Sequence, residues 1–153
     1  MEISIDNRCG SPLPLQHIEE LARFVLEAEG LPKNTELSVS FVGLAEISEL
    51  NSTYRNKTGP TDILSFELDD PWDASITQED DQVFVGDIVI NPDIAQKNAA
   101  LEEVTLEEEL WVLVIHGILH LVGYDHIEPE DARVMEHKED KYFEQWELKL
   151  GVW

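Results

Sequence analysis

The chain has 153 residues, of which 33 are acidic and 10 are basic, and its formal net charge is −23. The length suits one domain, and a hydrophobic content of 42% is high enough to build a core, which excludes global disorder. No apolar run is long enough to span a bilayer, no secretory signal is visible, and the single cysteine, Cys9, excludes an internal disulfide or a thiolate metal cluster. We therefore expect a cytoplasmic protein.

The first half of the chain alternates predicted strands with predicted helices. Ile3 and Ile5 alternate with acidic residues, which is typical of a short edge strand. Apolar residues then recur at helical spacing from Leu15 to Glu29, and Gly30 follows as a C-terminal cap. Further along we expect a strand over 36–42, a short helix over 45–54 and, after the Gly59-Pro60 turn, a strand over 62–68.

The second half is predicted to be mostly helical. After an exposed acidic loop over 69–82 we expect a strand over 83–90, a helix from Asn91-Pro92, a helix from Thr105 to Val122 and a last helix over 130–150. Thr105 and Glu108 fit a capping box, and the end of that helix is apolar almost all round, which indicates burial. The sequence therefore predicts one α+β domain, in which about four strands form a small mixed sheet packed against about five helices.

The chemistry is concentrated in the segment HGILHLVGYDH, residues 116–126. His116 and His120 are four residues apart on the predicted buried helix, so their rings project from one face. Gly123 lets the chain end the helix and turn back, and His126 arrives from the following loop. This arrangement predicts a zinc site with an open fourth position. The alternative, three hydrogen-bonded core histidines, is costly because imidazoles would be buried on the most apolar helix with nothing to coordinate them.

The histidine spacing matches that of the metzincin proteases with one difference. Where those enzymes have a glutamate, this sequence has Gly117. That glutamate is the general base for attack on a peptide, so its absence disfavours ordinary zinc proteolysis. We expect the missing side chain to leave room beside the metal for a larger or more charged substrate.

Together with two further blocks, this segment resembles the signature of the YbeY family of bacterial metal-dependent endoribonucleases. The blocks are LNSTYRNKTGPTDILSFE at 50–67 and GDIVI at 86–90, and their order and the chain length also agree. Thr58 and Glu67 depart from the family pattern, which often has an acidic residue at the first position and a proline at the second. The resemblance implies that residues 1–153 form one endoribonuclease domain with a metzincin-like histidine helix.

The resemblance also implies roles for individual residues. His116, His120 and His126 become the ligands of one catalytic zinc ion per chain, and Arg55 becomes a functional arginine close to that metal. The chemistry agrees, because an arginine fork can hold two phosphodiester oxygens as charge develops on them. Asp125 either orients a histidine ligand or accepts a proton.

Three further polar residues have two interpretations each. Asp62 and Ser65 either line the cleft or only stabilise a turn and a strand end. Asp87 either points toward the metal-binding helix or is a buried, hydrogen-bonded acid. The sequence does not decide between these interpretations.

The implied substrate is single-stranded ribosomal RNA, including the 3′ end of the small-subunit RNA, in rRNA maturation and ribosome quality control. The implied partners are the small ribosomal subunit and ribosome-associated proteins, with no membrane and no DNA. Charge restricts how RNA is held, since no Lys or Arg lies between Lys57 and Lys97 or between Lys97 and Arg133. We therefore expect the metal, with Arg55 and Lys57, to supply the positive charge, and the affinity for free RNA to be weak.

Two other functions fit a histidine site of this kind. One is a ribosome-assembly factor whose zinc is only structural, although structural sites usually have four protein ligands and no cysteine lies near these histidines. The other is a peptidase or another hydrolase that uses the open zinc position differently.

Overall fold

A computed structural model of the protein describes residues 1–73 and 82–151, and the predicted α+β class is confirmed in it. The described elements, in chain order, are β1 (Glu2–Asn7), α1 (Leu15–Ala28), β2 (Thr35–Phe41), α2 (Leu44–Arg55), β3 (Ile63–Glu67), β4 (Val83–Ile90), α3 (Pro92–Glu102), α4 (Leu106–Leu121) and α5 (Pro129–Leu150). Predicted and observed ends agree within about two residues, as expected for pattern-based boundaries. The predicted acidic loop over 69–82 falls mainly on residues outside the described part.

The four described strands form one mixed sheet in the order β1-β2-β4-β3. Strand β2 pairs in parallel with both β1 and β4, whereas β3 pairs antiparallel with β4, with Ser65 opposite Ile88. Within the described part of the chain β3 pairs only with β4, so β3 is an edge strand. Its position at the edge matters because the candidate site lies beside it.

One face of the sheet carries the main core. Helices α1 and α4 pack on this face, and α3 and α5 pack against α4. The inward side chains of β2 alternate along the strand, as period-two patterning requires, and are Leu37, Val39 and Phe41. Helix α4 is therefore enclosed by the sheet on one side and by helices on the others, which explains why its later turns are apolar almost all round.

The opposite face of the sheet is covered in part by α2. A smaller cluster there joins Val42, Ile47, Leu64 and Val89. Polar side chains of β2 and β4 occupy the rest of this face, where they line a groove.

A bulge in β4 determines which of its side chains lie on each face of the sheet. The pairing with β2 shifts between Glu36 and Leu37, next to Gly86, which has a φ of 152°. A Cβ atom at Gly86 would lie 2.2 Å from the carbonyl oxygen of Phe66, so only glycine fits this close approach. As a result Val85 and Ile88 both face the main core, although three positions separate them, and Asp87 is turned to the opposite face.

Helix α4 begins and ends as the sequence predicts. At its start, the Thr105 hydroxyl accepts a hydrogen bond from the Glu108 backbone, and the Glu108 carboxylate accepts one from the Thr105 backbone. At its end, the Gly123 and Tyr124 amides donate to carbonyls of the last turn. Within the described residues, every helix is too short or too polar to cross a membrane.

Candidate metal centre and adjoining cleft

The three predicted histidine ligands come together at one end of the main core. The ligand nitrogens of His116, His120 and His126 all lie within 4.8 Å of one another. Their ring centroids are 4.7 to 5.0 Å apart. This spacing allows one ion to contact all three rings.

Local structure accounts for the convergence. The rings of His116 and His120 share one face of α4 because they are one helical turn apart. Gly123, with a φ of 112°, then reverses the chain so that the following loop brings His126 back over them. In that loop the Asp125 carboxylate accepts a hydrogen bond from the Ile127 amide at 3.1 Å. Asp125 therefore stabilises the turn that presents His126, and it makes no hydrogen bond to a histidine ring among the described residues.

A carboxylate that the sequence did not single out contacts His116. Oε2 of Glu139, on α5, lies 3.3 Å from Nδ1 of His116, and both side chains are mostly buried. Because a carboxylate only accepts hydrogen bonds, this contact places the ring proton on Nδ1 and leaves Nε2 free to bind a metal. Glu139 is 23 residues from His116, and no local spacing connects the two positions.

The environment of His120 also favours metal binding. Burial lowers the pKa of His120 below 6.5, and the neighbouring His116 and His126 lower it further. The ring is therefore neutral near pH 7, which is the form that binds a metal. Three imidazole nitrogens of this kind fit a borderline ion such as zinc.

The histidines line a cleft of about 490 Å³. Residues of β3 also line this cleft, and so does Arg55, the last residue of α2. The structure therefore brings Arg55 to the same cleft as the three histidines, across a gap of about 60 residues in the sequence.

The remaining polar candidates divide between the two faces of the sheet. Asp62 and Ser65 line the cleft. Both carboxylate oxygens of Asp62 are engaged, since it accepts hydrogen bonds from Thr61 at 3.3 Å and from Asn98 at 3.2 Å. Asp87 lies on the opposite face, so it does not point toward α4. It is also not a buried, hydrogen-bonded acid, because it is only half-buried and its carboxylate makes no hydrogen bond among the described residues.

The position of Gly117 is not open space beside the metal, contrary to the sequence expectation. A Cβ atom there would lie 3.0 Å from Cδ1 of Ile88 and 3.2 Å from Cδ1 of Ile63. Gly117 borders the cleft, but its missing side chain serves close packing of α4 against the sheet.

The sequence predicted no role for two further residues, of which Trp72 contacts the end of the histidine helix and Glu67 lines the cleft. The indole of Trp72 donates a hydrogen bond of 2.7 Å to the Val122 carbonyl, which connects the segment after β3 to the end of the histidine helix. Glu67, one of the departures from the family pattern, adds a carboxylate to the cleft lining. The hydrogen bond of Trp72 could not be predicted from the sequence, because its partner is a backbone atom 50 residues away.

The fold and the cleft together define the class of this protein, an α+β protein with a candidate three-histidine metal centre. The family model described as Endoribonuclease YbeY matches residues 5–147. The chain belongs to the YbeY family.

Similar proteins cover most of the chain. The chain is 34% identical over 149 residues to an endoribonuclease YbeY of a Nocardioides species, which spans 97% of this chain and 100% of the relative. It is 42% identical over 133 residues to the endoribonuclease YbeY of Frankia alni, with 85% of this chain and 74% of the relative covered. The solution structure of TM1509 from Thermotoga maritima has a TM-score of 0.69 and 32% identity, and covers 98% of this chain and 92% of that one.

Proposed function

We propose that this protein is a zinc-dependent endoribonuclease that cleaves single-stranded segments of ribosomal RNA during rRNA maturation, including at the 3′ end of the small-subunit RNA. The observation that carries the proposal is the single cleft lined by the three histidines and Arg55. Family membership supports RNA as the substrate, and the absence of a glutamate at Gly117 removes the base that a peptidase of this histidine spacing needs.

His116, His120 and His126 would hold the zinc, one ion per chain. When bound, zinc supplies a Lewis acid that acidifies water to a pKa of about 7 and offsets charge on a phosphodiester. The protein's own contribution is to keep the rings neutral and oriented. Burial keeps the His120 ring neutral, and the contact with Glu139 orients the His116 ring.

Arg55 would bind the phosphodiester at the scissile position. Its guanidinium can donate two parallel hydrogen bonds to phosphate oxygens and so stabilise the charge that they gain during cleavage. Arg55 is an exposed residue with no ion-pair partner among the described residues, so its donors are available to a substrate. Asp125 completes the proposed site, and its contact with the Ile127 amide supports a positioning role for it over proton transfer.

The remaining parts of the proposal concern the biological setting. Residues 1–153 would act as one catalytic domain in the cytoplasm, where ribosomal RNA is processed. Because the net charge of −23 opposes binding to bare RNA, presentation of the strand would depend on the small ribosomal subunit and its associated proteins. The same assembly would account for a part in ribosome quality control.

A structural zinc site is disfavoured. Such a site needs a fourth protein ligand, and the candidate metal group in the described residues contains only the three histidines. Asp87 cannot supply this fourth ligand, because it lies on the other face of the sheet.

The direct test compares two variants on a defined single-stranded RNA. Arg55→Glu should keep its zinc and lose cleavage, whereas His120→Ala should lose both. Lys57, which the sequence led us to expect beside Arg55 as a source of positive charge, is exposed and does not line the cleft, so Lys57→Glu is the matched control. Full cleavage by metal-free His120→Ala protein, or equal loss in the Lys57 and Arg55 variants, would contradict the proposal.

A further inference from the structure

A second groove, of about 450 Å³, lies on the face of the sheet that is opposite to α4. Its lining includes an aromatic pair from α2 and β3, Tyr54 and Phe66, and a polar group from β2 and β4, Ser38, Ser40 and Asp87. None of these residues has a part in the proposed metal chemistry.

One ring of the aromatic pair is exposed to solvent, and the other holds it in place. The centroids of Tyr54 and Phe66 are 5.4 Å apart with the rings at 71°, an edge-to-face contact. Phe66 packs against the small core under α2, so it anchors the pair. Tyr54 remains 66% exposed, which leaves a face of its ring free to stack on a planar group.

The three polar residues of the groove, Ser38, Ser40 and Asp87, lie side by side on the neighbouring strands β2 and β4. Ser38 and Asp87 are register partners, and Ser40 is the next residue on the same face of β2. Among the described residues, the two hydroxyls and the carboxylate make no hydrogen bond with the protein, although Ser40 is only 8% exposed. A carboxylate flanked by hydroxyls matches a ligand edge that carries adjacent N–H donors, as the Watson–Crick edge of guanine does.

The groove does not suit a phosphate. Its cation, Arg8, is already paired with Asp6 at 2.8 Å and with Glu46 at 2.6 Å. The carboxylate of Asp87 would also repel an anion. A neutral base that stacks and donates hydrogen bonds fits the lining, and such contacts do not depend on the positive charge that this chain lacks.

The groove and the metal cleft adjoin along β3. Tyr54 of the groove and Arg55 of the cleft are consecutive in α2. On β3, Phe66 faces the groove while Ser65 and Glu67, on either side of it, face the cleft. Since β3 is an edge strand, one strand of RNA can pass over that edge and contact both cavities.

We propose that this groove is a base-binding subsite for the RNA strand, which stacks an unpaired base on Tyr54 and binds the N–H edge of that base, guanine in preference to uracil, through Asp87. The inference rests on the proposed endoribonuclease function. It adds to that function a means of selecting the nucleotide next to the scissile phosphate without using phosphate charge.

The test measures binding separately from cleavage. A single-stranded RNA that carries 2-aminopurine is titrated with chelator-treated protein, and quenching of the base fluorescence reports stacking. Tyr54→Ala should weaken binding by about 5- to 100-fold, because one stacked base is lost, whereas Tyr54→Trp should bind as tightly as the unchanged protein. Thr53→Ala is the control, since Thr53 is exposed on the same helical turn and lines neither cavity.

Base preference provides the second readout. Asp87→Asn should reduce the advantage of guanine over uracil in otherwise identical RNAs, and in zinc-loaded enzyme Tyr54→Ala should raise KM with little change in kcat. Unchanged binding by Tyr54→Ala, or an unaltered base preference in Asp87→Asn, would overturn the subsite. If no RNA is cleaved but Tyr54-dependent quenching persists, the endoribonuclease function fails while base binding stands.

Discussion

Nδ1 of His116, on helix α4, lies 3.3 Å from Oε2 of Glu139, on the C-terminal helix α5. This contact couples the candidate metal centre to the packing of α5 against α4. We expect Glu139 to be a positioning residue, because its carboxylate would act on a bound metal through the histidine ring.

Removal of that carboxylate should weaken metal binding. We expect Glu139→Ala to lower zinc affinity by about 10- to 100-fold, since the His116 ring loses the partner that fixes its orientation and tautomer. Competition with a zinc-binding dye measures the change. Asp140→Ala is the matched control, because Asp140 is the next residue on the helix and is exposed; equal zinc loss in both variants would show that α5 is merely disturbed.

The Glu29 carboxylate should make stability depend on pH. Burial alone raises the pKa of this group, but hydrogen bonds from Tyr142 and Lys138 outweigh burial, and the pKa lies below its ordinary value of 4.5. A lowered pKa means that the stabilisation is present above about pH 4.5 and is lost as the pH falls through the folded-state value.

The variant Glu29→Gln tests this dependence. It should be less stable than the unchanged protein by about 1–3 kcal/mol at pH 7, because it loses charge-assisted hydrogen bonds. Urea unfolding at several pH values should show the difference shrinking below pH 4.5. A difference that stays constant down to pH 3 would contradict the assignment.

Glu67 should oppose RNA binding in the cleft. Its carboxylate lines the same cavity as Arg55, where a phosphate is expected. We expect Glu67→Gln to tighten binding of single-stranded RNA by roughly 2- to 5-fold at low ionic strength, and the gain to fade as salt screens the repulsion. Glu49→Gln removes an exposed charge from α2 outside the cleft and should leave the affinity unchanged.

Gly117 and Ile88 should be energetically coupled. Because a Cβ atom at Gly117 would lie 3.0 Å from Cδ1 of the fully buried Ile88, the two positions compete for the same space. Ile88→Val, which removes that Cδ1 atom, should cost about 1 kcal/mol on its own and clearly less in the Gly117→Ala background. A double-mutant cycle by denaturant unfolding measures the coupling, and additive changes would contradict the packing explanation.

The sequence predicted the elements well where the signals are local. The start of α4 follows from Thr105 and Glu108, three residues apart, and the convergence of the histidines follows from helical spacing and one glycine within residues 116–126. Over such short spans backbone geometry alone fixes which side chains meet, so a pattern in the sequence is sufficient.

Other features of the site had no local signal. The contact of Glu139 with His116 and that of Trp72 with Val122 join segments whose approach depends on how helices and loops pack. The orientation of Asp87 depends on a bulge at Gly86, because an extra residue in a strand reverses the alternation on which pattern reading relies.

The sequence by itself therefore determined the three candidate metal ligands, the order of strands and helices, and the scarcity of positive charge around the histidines. Only the tertiary structure decided what surrounds them: the carboxylate that orients His116, the packing that occupies the space at Gly117, and the edge strand with a cavity on each side. The physical reason is the range of the interactions. Helical spacing and turns act between residues that are close in the chain, whereas side chains from distant segments meet only after the core has brought the helices and the sheet together.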